Sequence, residues 1–344
     1  MSIELLNTLH VQTQGADLRL DEDSVRIHLP GVPGRRTLPL RRLDGIVVYG
    51  HVNLSTELIA RCAQDGRPIT WMSRGGQFQG RLDGSARGNV LLRHSQHLAH
   101  ANPEAALAIA KNIVAGKIRN SRWVLMRAAR DADPAPQAQI RSAVTDLADA
   151  LPTVAEATSL DEVRGIEGNA ASVYFAALRH VLRPAPGIPE FTRRERRPPT
   201  DPVNALLSFG YGLLRGLVHG AVEQIGLDPY VGYLHGLRPG KPALALDLME
   251  EFRPVLADRF AITLLNRRQL RPEHFEDLPG GAVQLTEEGR KTVIAAWQER
   301  KTQTWDHPIA GRQVPAGLLP TVQSRILARH LRGDLPGYLP WTAS

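Results

Sequence analysis

Three separated segments carry the residues whose types could do chemistry. RGIEGNAASVYF at 164–175 supplies Glu167, YLHG at 233–236 supplies His235, and LDLMEEFRP at 246–254 supplies Asp247, Glu250 and Glu251. An imidazole with several carboxylates is a mostly oxygen donor set. It suits Mn2+ and Mg2+, whereas a structural zinc site wants more nitrogen or sulfur. The chain carries a formal net charge of +7 and a pI near 9.9, a balance that favours a polyanionic partner. Acids able to hold a divalent cation in so basic a protein point to a phosphodiester substrate. HExxH, P-loop, GxSxG and paired-cysteine motifs are all missing from the sequence.

Each candidate also has a plainer reading. Ser159 and Glu162 form a capping box that starts a helix running to about Leu182. At about 100° per residue, Glu167 falls within the apolar arc of Ile166, Ala170, Val173, Tyr174 and Ala177, opposite Asn169, Ser172, Arg179, His180 and Arg183. A buried carboxylate needs a partner, and a metal, an arginine or a hydrogen-bond network would each serve. Gly165 and Gly168 beside it leave room for close approach. Asp247, Glu250 and Glu251 stand at i, i+3 and i+4 on one helical face, where like charges repel. That face is either solvated or gathered around a cation. Pro254 should kink or end this helix. His235, in the glycine-flanked loop YLHGLRPGK, is either a surface histidine or a ligand.

The elements that must position these residues fall into two domains. Up to residue 97 the apolar alternations LHVQT, DLRL, SVRIHL and IVVYG are split by turn signals, with one helix, STELIARCA, before ITWM. That is a small β-rich domain, β-sandwich-like in pattern. A linker at 98–103 leads to an alanine-rich, helically periodic region at 104–344, so the fold class is α+β with an all-α C-terminal domain. Between Leu107 and Arg130, Lys111, Lys117, Arg119, Arg122, Arg127 and Arg130 occur without an acid. They face phosphates, solvent, or the acids of another helix. Two proline-rich stretches read as loops, DADPAPQ at 131–137 and RPAPGIPEFTRRERRPPTD at 183–201. Arg193, Arg194, Arg196 and Arg197 of the second, with Arg238 and Lys241 of the histidine loop, are candidate DNA contacts.

Asp201 and Pro202 announce a helix in which Gly212, Gly216 and Gly220 recur every four residues, a spacing that suggests close packing of another helix. Amphipathic helices follow from Thr286 and from Pro320, the latter bearing Arg325, Arg329 and Arg332 on one side. Cys62 is the single cysteine and sits in an apolar run, as a buried thiol in a reducing cytoplasm would. The N-terminus lacks a signal-peptide pattern, and the apolar run 204–222 is broken by Arg215 and His219, so no membrane association is expected.

Together these segments resemble the CRISPR-associated spacer-integration family, the first-numbered protein of that set ("Cas-one"), and its subtype I-C branch in particular. YGHVNLST at 49–56, WMSRGGQFQGRL at 71–82, LLRHSQH at 91–97 and DPVNALLSFGYGLL at 201–214 extend the likeness over nearly the whole chain. The resemblance implies an N-terminal β domain for dimerisation and DNA contact, joined to a helical catalytic domain. It implies Glu167, His235 and Glu250 as ligands of Mg2+ or Mn2+, with Asp247 the accompanying acid of the same helix; many members carry Asp where Glu250 stands. The implied reaction is a transesterification in which the 3′-hydroxyl of a short double-stranded prespacer attacks a phosphodiester at the edge of a CRISPR repeat. Implied partners are a second copy of the chain and the small second-numbered protein that bridges two dimers. A metal-dependent nuclease of branched DNA would use the same residues with water as nucleophile, and a non-catalytic DNA-binding scaffold would use none of them chemically.

Overall fold

Alternating apolar residues produce the first strands. A computed structural model of the chain describes residues 8–43, 45–72, 78–82, 84, 90–195 and 198–344. It divides into two compact units, Met1–Gly88 and Asn89–Ser344.

In the first unit, β1 (Thr8–Val11), β5 (Gly45–Tyr49), β7 (Ile69–Met72) and β8 (Phe78–Leu82) form one sheet in that order. A second sheet has the order β4 (Arg36–Pro39), β3 (Ser24–His28), β2 (Asp17–Asp21) and β6 (Asn53–Leu54). Period-two alternation turns Leu18, Val25 and Ile27 inward, while Arg26 on the other face pairs with Asp21 at 2.6 Å. Central β5 pairs in parallel with β1 and β7 and is buried almost throughout. Both sheets contribute to one core, joined by Leu58 and Cys62 of α1 (Thr56–Asp65). Ser55 caps that helix, and Gly66 ends it at φ 69°. Cys62 is a buried free thiol, as its apolar run implied.

The second unit is built around α3 (Pro103–Arg130), which packs on α4 (Pro134–Glu156), α5 (Leu160–Leu178) and α7 (Ala243–Phe252). α2 (Val90–Ala101) precedes it and occupies most of the expected linker 98–103, so the units divide earlier in the chain. Gln96 explains why α2 belongs here: its side-chain amide, fully buried, donates to the carbonyls of Asp228 and Val231 and accepts from the Asp228 N–H. The expected loop at 131–137 is shorter than its prolines suggested, because Pro134 takes the first turn of α4, where a missing N–H costs nothing.

α6 (Pro202–Ile225) starts at the Asp201 cap and lies against α7, α8 (Arg259–Asn266) and α10 (Leu319–Leu331). By length and composition it could cross a membrane, but half of its most apolar window is buried inside the fold. At Gly216 a Cβ would meet nothing within 4 Å, so no helix packs closely there. Pro254 does not stop the chain's helical course; it sits in a π-helical stretch, Arg253–Asp258, that joins α7 to α8. The expected all-α character of this region needs one amendment. Two hairpins, β9 (Phe275–Leu278) with β10 (Ala282–Leu285) and β11 (Thr304–His307) with β12 (Arg312–Pro315), flank α9 (Glu287–Thr302). The β-rich region followed by a helix-rich one is as the sequence implied.

Candidate active site

Lys117 lies on the buried face of α3, one turn from Val114 and Ser121, and is only 8% exposed. Its ammonium pairs with the carboxylate of Glu167 on α5 and, at 2.7 Å, with that of Glu250 on α7. Arg253 holds the other oxygen of Glu250 at 3.0 Å. Burial pushes the Glu250 carboxyl up, but Arg253 and Lys117 outweigh it and hold the group at about 2. Glu167 is half-buried, and a Cβ at Gly165 or Gly168 would meet nothing within 4 Å, so the space beside it is open to a ligand.

The three acids of α7 are not a solvated face. Asp247, Glu250 and Glu251 are each at most 2% exposed, and each has a different partner. Asp247 accepts the backbone N–H groups of Tyr233 (2.5 Å), Leu234 (3.0 Å) and His235 (2.9 Å), and the imidazole Nδ1 of His235 at 2.6 Å. Four donors on two oxygens fix the loop and the histidine tautomer: Nδ1 carries the proton, which leaves the Nε2 lone pair free. Gly232 is required by this contact, since a Cβ there would stand 2.6 Å from Asp247 Oδ2. Arg164 of α5 donates to the Leu234 carbonyl at 2.9 Å and ties the same loop to the helix that carries Glu167.

Glu251 turns the other way. Its carboxyl accepts from the Tyr338 hydroxyl and the Trp341 N–H, both at 2.7 Å, and from Gln323. Burial raises this group to about 8. Asn120 of α3 donates to the Glu251 and Trp341 carbonyls and accepts from Ala343, which seats the C-terminal segment beside α7. At Gly116 a Cβ would come within 2.6 Å of Pro340, so this seat needs glycine.

The candidate DNA contacts separate. Arg238 is exposed, and Lys241 lies near enough to Asp247 and Arg164 to feel both, its ammonium drawn down by burial and by Arg238. Arg193 pairs with Glu195 at 2.7 Å. Arg194 turns inward, bonded to the side-chain carbonyl of buried Asn204 at 2.7 Å, which also accepts the Glu195 N–H, and to Ser208 at 3.0 Å, and stacked on Tyr211. Arg196 and Arg197 lie outside the described residues. Sequence reasoning missed Lys117 and Arg253 as site residues, although Lys117 stands in register with Ile113, Val114, Ser121 and Val124.

Among the described residues no group of three or more His, Cys, Asp or Glu side chains is close enough to hold a metal ion. Glu167 and Glu250 nevertheless converge from separate helices on one positive charge, and the Asp247-bound His235 keeps a free nitrogen. This donor set fits a divalent cation that replaces the ammonium.

A β-rich unit is followed by a helical unit in which two acids converge on one cation, and comparison with known proteins places this arrangement in a protein family. The family model for CRISPR associated protein Cas1 matches residues 9–299, and the chain belongs to the Cas1 family. It is 48% identical over 338 residues to a CRISPR-associated endonuclease Cas1 of Moorella thermoacetica, covering 98% of each chain. To a Cas1 endonuclease of Rhodospirillum rubrum it is 49% identical over 343 residues, again covering 98% of both. The fold matches a Cas1 protein from Thermotoga maritima with a TM-score of 0.80 at 24% identity, over 98% of this chain and 99% of that one. A casposase bound to integration product superposes with a TM-score of 0.81 at 22% identity, over 97% and 93%.

Proposed function

We propose that the chain is a metal-dependent DNA integrase of CRISPR adaptation, of the subtype I-C kind, which inserts short DNA fragments at a repeat by 3′-hydroxyl transesterification. The observation that carries this reading is the convergence of Glu167 and Glu250 on a single cation beside a histidine whose tautomer Asp247 fixes. Glu167, His235 and Glu250 would hold Mg2+ or Mn2+. Such an ion neutralises charge on the phosphodiester and activates the attacking and leaving oxygens. Asp247 then serves as the orienting acid, because its oxygens are already filled by four N–H donors. Arg253, over Tyr211 and against Glu250, keeps that carboxylate ionised. Arg238 and Lys241 sit on the loop that carries His235, where they would meet the phosphate backbone.

The names of relatives support the partners. A Cas6-RT-Cas1–Cas2 complex and a casposase bound to integration product share this fold, which supports DNA and a Cas2-type bridging protein as partners; a second copy of the chain and a cytoplasmic location are part of the same proposal and rest on the sequence resemblance. The deciding experiment mixes the chain with its Cas2 partner, a duplex with 3′-hydroxyl ends, a supercoiled repeat-bearing plasmid and Mn2+. Covalent joining, abolished by EDTA and by His235→Ala, is the expected result. Cleavage without joining would make it a nuclease, and neither product would leave a DNA-binding scaffold.

A further inference from the structure

Away from the carboxylates, three arginines from distant parts of the second unit gather on two tryptophans. The guanidinium carbons of Arg127 and Arg259 lie 5.1 and 4.9 Å from the ring centre of Trp123, and those of Arg259 and Arg300 lie 5.8 and 5.2 Å from that of Trp305. The two indoles meet edge-on at 5.6 Å, so Arg259 is shared between them. Trp123 stands six residues beyond Lys117 on α3, about 9 Å along the axis and on a different face, which separates this cluster from the acids.

Each stacking contact is favourable, yet it leaves the guanidinium's in-plane donors unused. Arg300 spends two of its donors on the Val255 carbonyl and Gln303. Arg127 and Arg259 make no ion pair and no side-chain hydrogen bond among the described residues. Burial, then repulsion from Arg127, pulls Arg259 below its ordinary value, and burial followed by Arg259 brings Arg300 to about 10. Cations crowded together without a carboxylate are unfavourable unless an anion completes them. Arg127 is exposed and Arg259 half-buried, so an anion can reach both.

We propose that Arg127 and Arg259, backed by Arg300, form a phosphate site that grips the sugar-phosphate backbone of DNA outside the catalytic cluster. This rests on the DNA-joining reading above. A phosphodiester polymer is favoured over an acidic peptide because exposed Arg119 and Arg130 continue the positive charge along α3, which matches a repeating charge rather than a single carboxylate. Guanidinium forks fixed against rigid rings contact phosphate without reading sequence.

The test is fluorescence anisotropy of a labelled duplex across a salt series, with the full chain, Arg127→Gln, and the double variant Arg127→Gln/Arg259→Gln. The double variant should lose several-fold in affinity at low salt, and its log–log salt slope should shrink by about 1–2, with Mn2+ binding unchanged. Arg127→Gln alone, at an exposed position, should shrink the slope by about 1 and keeps the test valid if the double variant unfolds. Unchanged slopes in a chain that binds DNA overturn the site and leave the DNA-joining reading standing. Loss of poly-glutamate binding with DNA binding intact would reassign it to an acidic protein. A chain that binds no DNA at all overturns both.

Discussion

Lys117 is the residue on which the site closes. Its single charge is shared by Glu167 and Glu250, and a divalent ion bound by the same oxygens has to expel it. Lys117→Met removes that competitor and leaves two acids facing each other, so Mn2+ should bind at least about tenfold more tightly, ~1.4 kcal/mol. Titration of free Mn2+ by its electron paramagnetic resonance signal measures this, and an unchanged or weaker affinity would show that ammonium and metal do not compete. Part of this was legible. The helical placement of Glu167 required a partner, with metal and ion pair both open, and an ion pair is what stands there. The burial of Lys117 was readable too, since it shares a face with Ile113, Val114, Ser121 and Val124, but counting it among six basic residues of one helix hid the pattern. Which acids it meets depends on contacts between residues far apart in the chain, which periodicity does not encode.

At the scale of elements, α7 carries two neighbouring carboxyls that titrate in opposite senses. Glu250 is lowered to about 2 from an ordinary 4.5, so its contribution to stability is present above about 4.5 and lost as pH falls through about 2. Glu251 is raised to about 8, so its contribution is present below about 4.5 and lost as pH rises through about 8. Glu251→Gln keeps an amide oxygen for the Trp341 N–H while removing the titration. Thermal unfolding should show the variant gaining on the parent between pH 5 and pH 8.5, on the order of a few kcal/mol; a constant difference would refute the shift. The i, i+3, i+4 spacing told that the three acids share a face. It did not tell that the loop at 233–235, α3 and the C-terminal segment each claim one of them.

Glycines on two helices give a contrast of the same kind. Gly116→Ala drives a Cβ to within 2.6 Å of Pro340, beside Asn120 and Trp341, and should cost about 1–3 kcal/mol in denaturant unfolding. Gly216→Ala meets nothing within 4 Å in mid-helix and should stabilise by up to about 1 kcal/mol. Equal effects at the two positions would refute the packing described. At Gly216 the spacing does not correspond to a close approach, because a four-residue repeat marks a possible contact surface while close approach depends on what lies opposite. The β9–β10 and β11–β12 hairpins escaped notice for a related reason: four-residue strands are too short for alternation to stand out between helices.

Over the whole molecule, composition and periodicity were enough for two units of different class but not for their border. Residues 90–97 read as part of the β-rich region and 98–101 as linker, whereas α2 is tied to the second unit by the Gln96 bonds to the carbonyls of Asp228 and Val231. The two apolar cores share no residue: one is formed by strands and α1, the other by the helices from α2 onward. Lys117, Glu167, His235, Asp247, Glu250 and Arg253 all belong to the second. A fragment comprising residues 89–344 should therefore unfold cooperatively in far-ultraviolet circular dichroism. It should bind Mn2+ within about twofold of the intact chain, the range expected when the removed part shares no partner with the site. DNA joining should be lost, because the proposed homodimer and part of its DNA grip are assigned to the missing strands. Weak Mn2+ binding by a well-folded fragment would mean that the first unit shapes the acids from a distance, and full joining activity would remove the strands from the reaction altogether.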